Sequence, residues 1–194
     1  HRSGHSFPTR RSSDLVEYVF TRALRAQDWP AAGEAARIAE SLDMDQASGR
    51  TYRGRLAVAK GEWSVARDAF LAASEDLPKD GRLLAQLAQT EAQLGDYVNA
   101  ERHYVEAWEI QPNSITIAQG YGALLVQLGK SQQAKEVYQS ASRMSPANMA
   151  LREAWLDLAL ESGGLVEVLQ ARSSRYASAP EDIRNVVELA LLLG

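Results

Sequence analysis

Apolar residues recur every three or four positions along this chain, in runs of about thirteen that alternate with short polar breaks. The spacing predicts helices over Val16–Ala26, from Pro30 to Leu42, and over Ser48–Lys60, Ser64–Asp76, Arg82–Leu94 and Tyr97–Ile110. Further helices are expected at Ile115–Leu128, Ser131–Met144, Ala147–Ser162, Leu165–Tyr176 and Asp182–Leu193. The clearest stretch is Gly81–Ser114, where two apolar-periodic runs are split by Gly95-Asp96 and closed by Pro112-Asn113. That frame repeats at 34 residues on both sides, starting at Ser13, Ala47, Gly81, Ile115 and Met149, with a partial sixth at Ile183.

Each recurring residue has a physical reason. Pro78, Pro112, Pro146 and Pro180 occupy position 32, where proline ends the second helix of a frame; Met44 stands there in the first. Gly61, Gly95, Gly129 and Gly163 occupy position 15, which calls for a left-handed backbone after the first helix, while the first frame has Gln27. Asp28, Glu62 and Asp96 follow it, where negative charge favours the next helix start. Ala32, Ala66, Ala100 and Ala134 at position 20, and Ala39, Ala73, Ala107 and Ala141 at position 27, allow close helix approach. Phe70, Tyr104 and Tyr138 at position 24 fill the space beside them. One such pair cannot bury its apolar stripe alone, whereas stacked pairs can.

This pattern resembles the tetratricopeptide repeat family over roughly residues 14–194. Frame three matches with Leu84, Leu87, Ala88, Ala100, Tyr104, Ala107 and Pro112, but has Glu91 at position 11. Frame four matches with Tyr121, Gly122, Leu125, Ala134, Tyr138, Ala141 and Pro146. Frame two matches with Gly54, Ala66, Phe70, Ala73 and Pro78, with Arg50 and Arg53 where large apolar residues are usual. The end frames depart more: Phe20 replaces a small residue at position 8, and Leu156, Arg172 and Arg175 break the pattern in frame five. The resemblance implies an all-α, right-handed α-solenoid of antiparallel helix pairs.

It also implies a concave groove lined by the first helices, in which a peptide or helix of a partner protein lies. Carried over by position, the groove residues are Thr51, Tyr52 and Arg55 in frame two, and Arg82, Gln86, Gln89 and Gln93 in frame three. Frame four adds Thr116, Gln119, Ala123 and Gln127, and frame five adds Glu153, Asp157 and Glu161. Glutamine both donates and accepts, so the middle of this set suits a peptide backbone. Charge runs from basic at Arg55 and Arg82 to acidic at Glu153, Asp157 and Glu161, a gradient able to orient a dipolar partner. The cochaperone type of the family captures a C-terminal carboxylate with lysines and asparagines. The matching positions here are Thr51, Arg55, Gln86, Thr116 and Gln119, so that ligand is not expected.

Composition narrows the chemistry. The net charge of −4 argues against a nucleic-acid partner. The chain has no cysteine, which removes disulfides, thiolate metal sites and a cysteine nucleophile. No apolar run is long enough to span a membrane. His103 reads as a solvated residue on a helix surface, and no catalytic motif, metal set or cofactor loop is present. Gly163-Gly164 is a turn, and Trp29, Trp63, Trp108 and Trp155 read as inter-helix packing.

Residues 1–15 stand apart. Ser6–Leu15 matches, at all ten positions, the translation of TCT TTC CCT ACA CGA CGC TCT TCC GAT CTN, part of a common sequencing adapter. The leader is therefore read as an artefact outside the repeat array at 16–194, with a native basic, disordered tail as the alternative; on the artefact reading a signal peptide or anchor could precede Val16 in the gene. The apolar residues Leu189–Leu193, in a frame without a second helix, are read as an unsealed face that drives self-association. The expected function is a bacterial protein-interaction scaffold without catalysis, in the cytoplasm or the periplasm and envelope. The alternative is the repeat arm of a larger enzyme, such as a transferase, or of an envelope secretion or polysaccharide-export protein. A helical-repeat RNA binder is a weaker reading, because the groove is not basic.

Overall fold

The computed structural model describes residues 10–41 and 46–193. Its described elements are all helices: α1 Arg10–Arg25, α2 Trp29–Ser41, α3 Gln46–Lys60, α4 Trp63–Asp76, α5 Gly81–Gln93, α6 Tyr97–Ile110, α7 Ile115–Gln127, α8 Ser131–Met144, α9 Met149–Glu161, α10 Leu165–Ser178 and α11 Ile183–Leu193. Odd-numbered helices are the first of each frame and even-numbered ones the second. Helix α1 begins earlier than the Val16 expected, because neither proline nor glycine interrupts Thr9–Leu15. The expected end of α2 at Leu42, the Met44 of its turn and most of the leader lie outside the described residues.

The chain forms two compact units divided at Pro112/Asn113. In the first, each of α1 to α6 packs on the next; in the second, α7 to α11 do the same. Turns within a frame share one construction. In frame three the Asp96 N–H donates to the Glu91 carbonyl at 2.9 Å and the Gly95 N–H to Ala92 at 3.1 Å. The same two bonds recur at Gln27-Asp28, Gly61-Glu62, Gly129-Lys130 and Gly163-Gly164. All five residues at position 15 have positive φ, including Gln27 at 54°. Asp28 and Asp96 then cap the following helix, accepting from Ala31 and Asn99. Turns between frames end on a second set of caps at position 34: Asp80, Ser114, Asn148 and Asp182 accept from the first turns of α5, α7, α9 and α11.

Position 8 is small because position 24 fills it. A Cβ on Gly54 would meet the Phe70 ring at 2.4 Å, and one on Gly122 would meet the Tyr138 ring at 2.4 Å. Frame one inverts the sizes: Phe20 sits at position 8 and Ala36 at 24, both buried in one cluster with Val16, Ala32, Ala39 and Tyr52. The large and the small residue trade places, so one bulky side chain still fills the space between the two helices.

Frame five uses charge instead. Buried Arg172, at the aromatic position, pairs with Glu153 at 2.8 Å and with Glu188 of α11, while Arg175 pairs with Asp182 at 3.0 Å. Asn185 donates to the Arg172 carbonyl. The Arg172 Nε and Trp155 Nε1 atoms are buried without a hydrogen-bond partner among the described residues. All four tryptophans are half-buried or buried, as their helix-packing reading requires.

His103 is a correction. It is buried on α6, and its Nδ1 lies 2.7 Å from the buried Glu91 carboxylate of α5. Arg102 Nη2 lies 3.1 Å from Nε2. A guanidinium can only donate, so Nε2 accepts and the ring proton sits on Nδ1, facing Glu91. The histidine turns inward because Glu91 occupies position 11, which is apolar in every other frame: Ala23, Ala57, Leu125, Ala159 and Leu193. A buried carboxylate requires a polar partner.

Candidate functional site

The first unit has an indented face built from α1, α3 and α5. Side chains three and four apart on a helix share one face. Tyr52 and Arg55 on α3 therefore point the same way, as do Arg82, Gln86, Gln89 and Gln93 on α5. Thr51, Tyr52, Arg55, Arg82 and Gln86 come together around a hollow of about 540 Å³, with Glu17, Leu77 and Asp80 completing much of the wall. Ser13 and Asp14, from the adapter-like segment, also line it. Gln89 lines a second, smaller hollow, and exposed Gln93 lies one turn farther along α5, outside both linings.

Arg55 is the fixed point of this face. Its two terminal nitrogens donate to both oxygens of Glu17 at 2.7 and 2.9 Å. Its guanidinium stacks 4.9 Å from the Phe20 centroid and 5.5 Å from that of Tyr52, whose rings meet edge to face. The Arg55 bond holds Glu17 below the usual carboxylate range against the opposing effect of burial. Burial, reinforced by a hydrogen bond with Glu17, pushes the Tyr52 hydroxyl up to about 12. Arg55 therefore contributes a rigid, neutralised wall rather than an available cation. Glu17 was missed in the sequence, although it occupies position 5 of frame one, a groove position by the same numbering.

Arg82 differs. It is exposed, and its guanidinium has no partner among the described residues. Asp80 beside it is occupied in capping α5, accepting from the Arg82 and Leu83 N–H groups at 2.9 and 3.1 Å.

The second unit carries Thr116, Gln119, Ala123 and Gln127 on α7, all exposed. The Gln119 carbonyl accepts from the Tyr138 hydroxyl at 3.5 Å. On α9, Asp157 and Glu161 are exposed, whereas Glu153 is committed to Arg172. The expected gradient is thus blunted within each unit: Arg55 and Glu153, one from each end of it, are both already paired. Among the described residues, no three His, Asp or Glu side chains converge to hold a metal ion, and no helix is long and apolar enough to cross a membrane.

Residues 91–154 match the family model described as Tetratricopeptide repeat. Among curated proteins, none matches the chain by sequence. Among solved structures, yeast Tom70 is similar at a TM-score of 0.73 and 15% identity, covering 93% of this chain and 39% of its own. This chain therefore spans well under half of that protein. TTC0263, described as a thermophilic TPR protein of Thermus thermophilus, aligns at 0.61 and 17% identity, covering 93% and 98%. The first TPR of Spaghetti (RPAP3), bound to the HSP90 peptide SRMEEVD, aligns at 0.56 and 18% identity, covering 60% and 95%. At these identities the likeness is one of fold.

Proposed function

We propose that this chain, whose residues 91–154 match the tetratricopeptide repeat model and whose fold is that of such repeats, is a protein-interaction scaffold that holds an extended segment of a partner protein. The segment lies on the α1–α3–α5 face of the first unit, and the chain performs no catalysis of its own. The observation that carries this reading is the hollow of about 540 Å³, walled by the fixed Arg55–Glu17 pair and edged by Gln86 and Arg82. Recognition there is polar and uncommitted. Gln86 offers both a donor and an acceptor, and Arg82 offers one cation to a carboxylate of the partner. One fold neighbour is bound to a peptide, which supports the mode of binding and not the ligand. Lysine and asparagine are absent from Thr51, Arg55 and Gln86, and Arg55 is neutralised by Glu17, so an internal segment fits better than a carboxylate terminus.

Selection of a random displayed peptide library on the immobilised chain tests this. Selected peptides are expected to bind the wild type and Val98→Glu, which alters an exposed residue of α6, and to lose binding to Gln86→Trp. Absence of any enrichment, or equal binding by Gln86→Trp, refutes the reading.

A further inference from the structure

Next to the polar hollow lies a smaller one of about 260 Å³, with Arg55 and Gln86 belonging to both. Leu24, Val58 and buried Phe70 give it an apolar lining, and Gln89 stands at its rim beside Gln86. We propose that this hollow is an anchor pocket that accepts one uncharged aliphatic or aromatic side chain of an extended protein segment, while the Gln86 and Gln89 amides bond the segment's backbone on either side. The inference rests on the peptide-binding reading and adds the side-chain class that the site selects.

Three observations support it. Among the described residues of the lining, the only ionic group is Arg55, and Glu17 already holds both its terminal nitrogens. A charged occupant would lose its hydration and gain no counter-charge, so charge complementarity selects a neutral side chain. Secondly, the side-chain amides of Gln86 and Gln89 make no hydrogen bond among the described residues. They lie three residues apart on α5, roughly 5–6 Å between Cβ atoms. An extended chain rises about 3.3 Å per residue, so backbone groups two residues apart, flanking one inward side chain, have nearly the same spacing. Thirdly, the pocket is built in advance: the Arg55 guanidinium is held by Glu17 and the Phe20 and Tyr52 rings, and the Phe70 ring packs closely against Gly54. Binding therefore requires little ordering of the site.

The test uses exposed Ala59, which lines this hollow and not the larger one. Peptides selected on the wild type are expected to share one Leu, Ile, Met or Phe position. Ala59→Trp should weaken them about tenfold or more, the order expected for losing one buried apolar side chain. Acetyl-leucine amide should shift the Leu24 and Val58 methyl resonances of the wild type but not of Ala59→Trp, and acetyl-lysine amide should shift neither. Selected peptides without a shared apolar position, or full affinity for Ala59→Trp, overturn the anchor and leave the peptide reading standing. If selection fails, the methyl shifts decide alone: their presence supports the pocket, and their absence refutes it.

Discussion

His103 and Glu91 make one buried polar couple out of two positions that are apolar in the other frames. Removing one member strands the other. His103→Ala should cost about 3–5 kcal/mol, the usual penalty for an orphaned buried charge. Glu91→Leu with His103→Val installs the residues that frame four carries as Leu125 and Val137, and should be neutral or stabilising by about 1–4 kcal/mol; urea denaturation of the single and double variants measures both. The couple was legible only by comparison across frames, because His103 alone on a helix reads as a surface residue. Position 23 is Ala35, Ala69, Val137 and Ala171 elsewhere, which marks it as inward-facing. Tyr52 and Tyr104 give a second test at this scale, since burial raises both hydroxyls to about 12. A raised folded-state value keeps its full stabilisation below the unfolded value of 10.0 and loses it as pH climbs toward 12. Melting temperature should therefore fall across that alkaline window, and less steeply in Tyr104→Phe. Glu17 acts in the opposite sense. Its lowered value contributes stability above 4.5 that fades as pH drops.

Between the two helices of a frame, size complementarity matters more than the identity of any one residue. Gly122 faces Tyr138 and Gly54 faces Phe70, while Phe20 at the equivalent place is matched by Ala36. Gly122→Phe should destabilise by at least about 1–3 kcal/mol through overpacking. Adding Tyr138→Ala, which reproduces the arrangement of frame one, should recover part of that loss; a double-mutant cycle without favourable coupling would refute the complementarity. A single-position consensus registers Phe20 only as a departure. Likewise, Arg172 and Arg175 read as breaks in the pattern, yet they connect α10 with α9 and α11 through Glu153, Glu188 and Asp182. Their partners lie outside α10, Glu153 and Asp182 in the same frame and Glu188 in the next, and the periodicity of a single helix does not report on such pairs.

At the scale of the chain, the 34-residue period alone conveys the architecture, because frames two to four each carry the stop, turn and close-contact residues in one phase and the end frames keep part of the set. The division at Pro112/Asn113 is not legible in the same way. Pro112-Asn113-Ser114 has the same turn chemistry as Pro78-Lys79-Asp80 and Pro146-Ala147-Asn148, so local signals do not single it out. On the last helix, Leu191 is 77% exposed and Leu193 69%, and Ile183 at its start is 76% exposed. Concentration-dependent association through this helix is the expected behaviour, and Leu191→Glu with Leu193→Glu should suppress it. Light scattering that finds the wild type monomeric at high concentration would refute it.

The turn at Gly95-Asp96 has a further consequence. Asp96 closes α5 through its N–H and opens α6 through its carboxylate, so one residue belongs to both helices and no slack separates them. Inserting or deleting a single residue inside either helix would rotate everything beyond it by about 100°, turning buried positions outward. A helix pair joined this way does not absorb small changes of length within it, whereas a whole 34-residue frame added in register leaves every buried position facing inward.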